Sequence, residues 1–240
     1  MPFSRRSIMT TSIAGVAVVG VGGYSWLRVQ KTAAAAASTP AVTPPAAASA
    51  AAAPVAPVAT GDQRKTIRAI GSITAPVTVT EFFSLTCTHC AAFTRETFPD
   101  LKAKLIDTGM VHWVFSDYPL DQIALAATMV ARNLPLDLYE PFVVALFQGQ
   151  MSWAFNSNIA PMDGLAREAA LAGMPRDQFD KVVADEDLKN WILQERTDAT
   201  NNFNIDATPT FRADGPKAKG QQKAGEMDFA GFTAFLATVS

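Results

Sequence analysis

The stretch Val77–Cys90 reads VTVTEFFSLTCTHC, and its two ends follow different periods. Val77 to Ser84 alternates and is rich in β-branched and aromatic residues, the pattern of a strand. Cys87 then opens a helical pattern in which Cys90, Phe93, Phe98, Leu101 and Leu105 recur at near-helical spacing, with Pro99 predicting a kink or break and Gly109 an end. Met110 to Ser116 (MVHWVFS) reads as a second strand, terminated by Asp117-Tyr118-Pro119. Strand, helix and strand of these lengths form a βαβ unit with a parallel pair.

Beyond that unit, the residues from Leu120 to Asn204 predict five helical segments in succession. The first places Leu120, Ile123, Ala124, Ala127, Val130 and Ala131 on one face; the others are centred on Phe142 to Phe147, Leu165 to Ala172, Phe179 to Val183, and Leu188 to Phe203. A strand returns at Thr208 to Ala213. Asp214-Gly215 marks a turn, a polar return strand runs through Gln221 and Gln222, and Phe229 to Val239 closes as a helix. The order is βαβ, a helical insertion of about 85 residues, then ββα. With the strands in one sheet this is an α/β class, a thioredoxin-like fold with a helical subdomain inserted at about 120–204.

Composition limits how much of the 240-residue chain can take part. Thr32 to Thr60 holds 15 alanines, five prolines and no charged residue, so residues 32–60 read as a disordered, partly extended linker. The folding material is therefore residues 61–240, enough to bury one sizeable core. Those residues carry 16 basic against 22 acidic side chains, a net of −6, which disfavours a nucleic-acid partner. Two His and two Cys exclude zinc sites of four Cys, iron–sulfur clusters on four thiolates and a disulfide framework.

Residues 1–31 read as an export signal or a membrane anchor. Arg5-Arg6 form a positive start, and Ile8 to Leu27 is an uncharged run whose glycines dilute its hydrophobicity while its length reaches the roughly 20 residues needed to span a bilayer. Small residues at Ala33 to Ala37 offer cleavage sites, whereas Tyr24 and Trp26 with Arg28 and Lys31 suit an interfacial anchor. Ser4-Arg5-Arg6 before Ser7-Ile8-Met9 partly resembles a twin-arginine signal, with Sec export the other route. Either one puts the folded part in the bacterial periplasm, soluble or anchored, where disulfides persist.

The chemistry centres on Cys87-Thr88-His89-Cys90. Cys87 falls at a helix start, where orphan N–H groups and the positive end of the helix dipole stabilise a thiolate, while Cys90 lies one turn in on the apolar face. This asymmetry predicts an exposed attacking thiol and a shielded resolving one. Rival uses of the pair are poorly supplied: a zinc half-site would need two more ligands from His89 and His112, haem attachment would need a His where Ala91 stands, and a disulfide across three residues cross-links little chain. No cofactor or metal is expected. His89 sits where it can donate a hydrogen bond or charge to the Cys87 thiolate, or else stand solvated. Glu81 shares a strand face with Val77, Val79 and Phe83; if that face is core, its carboxyl is buried near the dithiol and can relay a proton for Cys90, and otherwise it is a strand-edge glutamate in water. Pro209, after Thr208, enters the returning strand through either a cis bond or an ordinary trans one.

Glu81-Phe82-Phe83-Ser84-Leu85-Thr86-Cys87-Thr88-His89-Cys90, then Pro99, a second strand, a helical insertion and Ala207-Thr208-Pro209-Thr210-Phe211 resemble the DsbA-like thiol-disulfide oxidoreductases of bacterial envelopes. The similarity spans residues 77–239. It implies a nucleophile at Cys87, a resolving thiol at Cys90, a buried acid at Glu81 and a cis-proline at Pro209. It also implies oxidation of newly exported proteins and reoxidation by a membrane quinone-linked partner. Two departures bear on direction. Thr88 replaces the proline of the family's common C-P-H-C, and Thr208 stands where the family's best-known member has valine, a threonine also found in isomerases and reductases of the superfamily. The expected activity is thiol-disulfide oxidation of exported proteins through a mixed disulfide at Cys87. An isomerase or reductase acting on misfolded proteins is the alternative of the same class, and a dithiol binding module, chaperone or copper carrier, the alternative of another.

Overall fold

The structure, a computed structural model, describes residues 61–240; the signal, anchor and linker expectations for residues 1–60 lie outside the described residues. Strands β1 (Arg68–Ile70), β2 (Val77–Phe83), β3 (Val111–Asp117), β4 (Thr210–Asp214) and β5 (Gln221–Ala224) form one sheet in the order β1-β3-β2-β4-β5. β2 and β3 are parallel, with Val77 opposite Val111 and Phe83 opposite Asp117, as the βαβ reading requires. The other pairs are antiparallel. β1 was not foreseen, because three residues are too few to show an alternation. It pairs with the outer edge of β3, Arg68 opposite Phe115.

Strand alternation sends Val77, Val79, Glu81 and Phe83 of β2 and Val111, Trp113 and Phe115 of β3 into the core. Helices α1 (Thr88–Glu96) and α9 (Phe229–Ala237) are joined to them by aromatic contacts. Phe93 of α1 lies 4.6 Å from Phe211 and stacks on Trp113 at 6.1 Å, and Phe232 of α9 lies 5.1 Å from Phe211. Such pairs add about 0.5–1.5 kcal/mol each beyond area burial. Pro99 breaks the helix as expected: it opens α2 (Phe98–Leu101), where its missing N–H costs nothing. One π-helical turn at Lys102–Ile106 follows, and Gly109, at φ +78°, turns the chain into β3. The opposite face of the sheet carries a separate small cluster of Phe82, Tyr118, Ala199 and Ile205.

Between β3 and β4 run six helices rather than five: α3 (Gln122–Asn133), α4 (Leu136–Gln148), α5 (Gln150–Trp153), α6 (Pro161–Leu171), α7 (Arg176–Val183) and α8 (Glu186–Phe203). The additional one, α5, has four residues and therefore no readable period. Asp121 and Asp185 cap α3 and α8 by accepting from the Ala124 and Leu188 N–H groups. Among the described residues no helix is long and apolar enough to cross a membrane.

A buried polar network fastens this insertion to the sheet. Arg132 of α3 donates through Nε to Asp117 at the end of β3 (2.5 Å) and through Nη1 to the carbonyls of Arg64 and Thr66. Tyr139 of α4 donates to the other Asp117 oxygen at 2.9 Å, and Arg68 of β1 reaches the Arg132 carbonyl. Removing one partner from such a site strands a buried charge. Asp117→Ala is therefore expected to lose about 3–5 kcal/mol in urea unfolding. Tyr139→Phe, which deletes only a hydroxyl, is expected to lose about 1.5–3 kcal/mol in the same measurement.

Candidate active site

Cys87 is the N-cap of α1, and its sulfur accepts the Cys90 backbone N–H at 3.4 Å. That position follows from local chemistry, since β2 delivers the chain to a helix whose first N–H groups have no intrahelical acceptor. Both cysteines are free thiols. Their burial differs less than the sequence suggests: Cys87 is 8 % exposed and Cys90 0 %. The expected exposed thiol is instead a sulfur edge at a covered site. The cover is the loop entering β4, whose Thr208 carbonyl accepts from Cys87 Sγ at 3.2 Å.

The Thr208–Pro209 bond is cis. Gly225 N–H donates to the Pro209 carbonyl at 2.8 Å, so the end of β5 braces this loop. The Thr208 hydroxyl is buried without a hydrogen-bond partner among the described residues. The loop before the sulfur is held as well: the Thr86 hydroxyl donates to Asp121 at 2.6 Å, and Gln150 of α5 donates to the carbonyls of Leu85 and Cys87.

These surroundings separate the two thiols electrostatically. Donation from Cys90 is the largest influence on Cys87; with help from the backbone N–H groups of Cys90 and His89, it overcomes burial and brings the thiol down to about 5. Cys90 is pushed well above its ordinary value, first by burial and then by its bond to Cys87. Glu81 faces the core, 3 % exposed, which resolves the sequence alternative in favour of burial. Burial raises its carboxyl to about 8, with the Trp113 indole pulling the other way and Cys87 adding to the rise. It is therefore protonated at neutral pH.

The structure brings together five of the six residues singled out in the sequence: Cys87, Cys90, Thr208, Pro209 and Glu81, whose carboxyl is raised in part by Cys87 and whose ionised form would raise Cys90 further. The sixth, His89, sits differently. Its imidazole is 69 % exposed and turns to Glu226, 3.3 Å from Nδ1, and what bears on Cys87 is its backbone N–H. Glu226, Asp121 and Gln150 were missed. Each arrives from a distant segment, and a lone carboxylate or amide in a helical or loop stretch carries no local signal. No group of side chains able to hold a metal ion occurs among the described residues.

With this geometry in place, the likeness to known proteins is informative. A family model described as thioredoxin matches residues 63–230. A Rickettsia felis protein provisionally named as a protein-disulfide oxidoreductase is 26% identical over 147 residues, 61% of this chain and 52% of its own length. The chain thus spans about half the length of the curated relatives it matches. The crystal structure of alpha-DsbA1 from Wolbachia pipientis aligns with a TM-score of 0.66 at 29% identity, covering 72% of this chain and 90% of the other. A protein-disulfide isomerase from Novosphingobium aromaticivorans aligns with a TM-score of 0.61 at 21% identity over 71% of this chain and 91% of the other, a likeness of fold.

Glu81 gives the site a measurable pH signature. A carboxyl whose folded value is raised binds its proton in the native state where the unfolded chain has released it, so it costs stability as pH rises. In the disulfide form, where no Cys87 thiol titrates to offset it, stability is expected to fall as pH rises from about 4.3, the ordinary glutamate value, toward about 8. Glu81→Gln should flatten that decline in urea titrations repeated across the window.

Proposed function

Since this chain belongs to the thioredoxin family, with a DsbA-like helical insertion, we propose that it is an exported thiol-disulfide oxidoreductase that oxidises cysteine pairs in proteins of the bacterial envelope. The observation that carries the reading is the placement of Cys87 Sγ between the start of α1 and the Thr208 carbonyl, with Cys90 sealed beneath it. In the oxidised enzyme a substrate thiolate attacks the Cys87 sulfur. The Cys87–Cys90 bond breaks, and Cys90 leaves with the electron pair. A thiolate so strongly disfavoured needs a proton, which Glu81, protonated at neutral pH, is suited to supply. The second substrate thiolate then attacks the sulfur bound to Cys87, forming the substrate disulfide and releasing Cys87 as a stabilised thiolate.

The electrostatics favour the oxidising direction, because what stabilises the Cys87 thiolate stabilises the reduced enzyme and makes its disulfide eager for electrons. The Thr208–Pro209 loop is read as the edge along which extended substrate pairs. Reoxidation by a membrane quinone-linked partner completes the cycle, and no cofactor is required. Location in the periplasm follows from the export reading of residues 1–31.

Cys90→Ser is expected to trap mixed disulfides with reduced substrate on non-reducing gels, whereas Cys87→Ser should form none and lose exchange altogether. The opposite pattern would exchange the roles of the two thiols. Equilibration with glutathione tests direction: an oxidant is expected at or above about −180 mV, and a value near about −270 mV would turn the reading to a reductase.

The dithiol form should also be the more stable one. A depressed thiol contributes stability above its unfolded value and loses it as pH falls through the folded one. The advantage of reduced over oxidised protein in denaturant titrations should therefore be full near the ordinary thiol value of about 8.5, partial at neutral pH, and gone below about 5.

A further inference from the structure

Gln150 is the most deeply buried polar side chain of the helical insertion, 1 % exposed, and both hydrogens of its amide are committed. Nε2 donates to the Leu85 carbonyl at 2.9 Å and to the Cys87 carbonyl at 3.0 Å, one hydrogen to each. The Cys87 carbonyl already accepts the Ala91 N–H at 3.1 Å, the first bond of α1, so Gln150 is its second donor. The acceptor thus belongs to the residue whose sulfur meets the Cys90 N–H and the Thr208 carbonyl. A buried glutamine that merely needed partners could have taken any free carbonyl. This one takes the two that flank Thr86 in the loop leading to the nucleophile.

Its own support is firm. Trp153 Nε1 donates to the Leu146 carbonyl at 2.7 Å, holding α5 against α4. Gly164 of α6 lies so close that a Cβ there would stand 2.3 Å from the Trp153 carbonyl, so α5 is pressed onto α6 as well. The amide therefore projects from a fixed platform, and in water-free surroundings its N–H dipoles act at nearly full strength on the start of α1.

We propose that Gln150 is a positioning residue for the redox loop: by holding the Leu85 and Cys87 carbonyls it fixes the Cys87 sulfur at the start of α1, so that the helical insertion takes part in setting the redox poise. The proposal rests on Cys87 being the redox nucleophile. With the amide gone, the Cys87 carbonyl keeps one donor, its partial negative charge is less compensated at the residue that carries the sulfur, and the loop is free to shift from the helix start. The thiolate is then less stabilised, and the disulfide is a weaker oxidant.

Gln150→Met keeps the length and removes both donors. Its Cys87 thiolate midpoint, followed by absorbance at 240 nm, should rise, and its glutathione equilibrium should move toward the disulfide by about threefold or more, equivalent to about half a pKa unit. An equal loss of folding stability in both redox forms, with midpoint and equilibrium unchanged, would make Gln150 a structural residue only and overturn the proposal. Should the variant not fold, the unsubstituted protein still decides. The Gln150 side-chain amide resonances should exchange slowly and shift between reduced and oxidised protein; exchange as fast as that of exposed Gln221 would overturn it. Unsubstituted protein that fails to equilibrate with glutathione would overturn the redox reading itself, a different result from normal equilibration unaffected by Gln150→Met.

Discussion

The contact between Cys87 Sγ and the Thr208 carbonyl joins residues 121 apart in the chain, and the arrangement of the molecule can be followed from what that contact requires. β2 must deliver Cys87 to the start of α1, and β4 must lie beside β2 in the register that sets Phe82 opposite Thr210. The whole helical insertion has to leave the sheet after β3 and return at the edge of β2. Closing so long a loop costs little more than closing a shorter one, because the entropy grows only with the logarithm of length. The sheet hydrogen bonds and the aromatic cluster of Phe93, Trp113, Phe211 and Phe232 offset that cost.

Burial acts on three neighbouring groups in the same direction and the outcomes diverge. Glu81 and Cys90 lack enough donors to offset the loss of water, so each is held in its neutral form. Cys87 is buried too, yet donation from Cys90 and from the first backbone N–H groups of α1 outweighs the loss of water and reverses the sign. One apolar pocket thereby yields a stabilised anion beside two proton-bearing groups, the division of labour that stepwise thiol-disulfide exchange uses.

The helical insertion does more than fill the connection between β3 and β4. Asp117, Arg132 and Tyr139 tie its first two helices to the end of β3, while Asp121 and Gln150 reach the loop before Cys87. The first set is a buried ion pair, Asp117 and Arg132, with the Tyr139 hydroxyl donating to its carboxylate. The second set consists of donors and acceptors for a loop that has no sheet partners of its own.

Much of this was legible in the chain. The alternation of Val77 to Ser84, the helical spacing that begins at Cys87, Pro99 as a break and the return at Thr208 determined the α/β order and the parallel pair, because strand and helix periods are local properties of side-chain direction. The spacing of Cys87 and Cys90 at a helix start likewise singled out Cys87 as the sulfur whose thiolate the helix start favours. Tertiary structure alone decided that Glu81 is dry, that the His89 imidazole turns to Glu226, that Cys87 lies under the Thr208 carbonyl, and that β1 and α5 exist. Each of these depends on a partner supplied from far along the chain or on an element shorter than its own period, and neither leaves a trace in neighbouring residues.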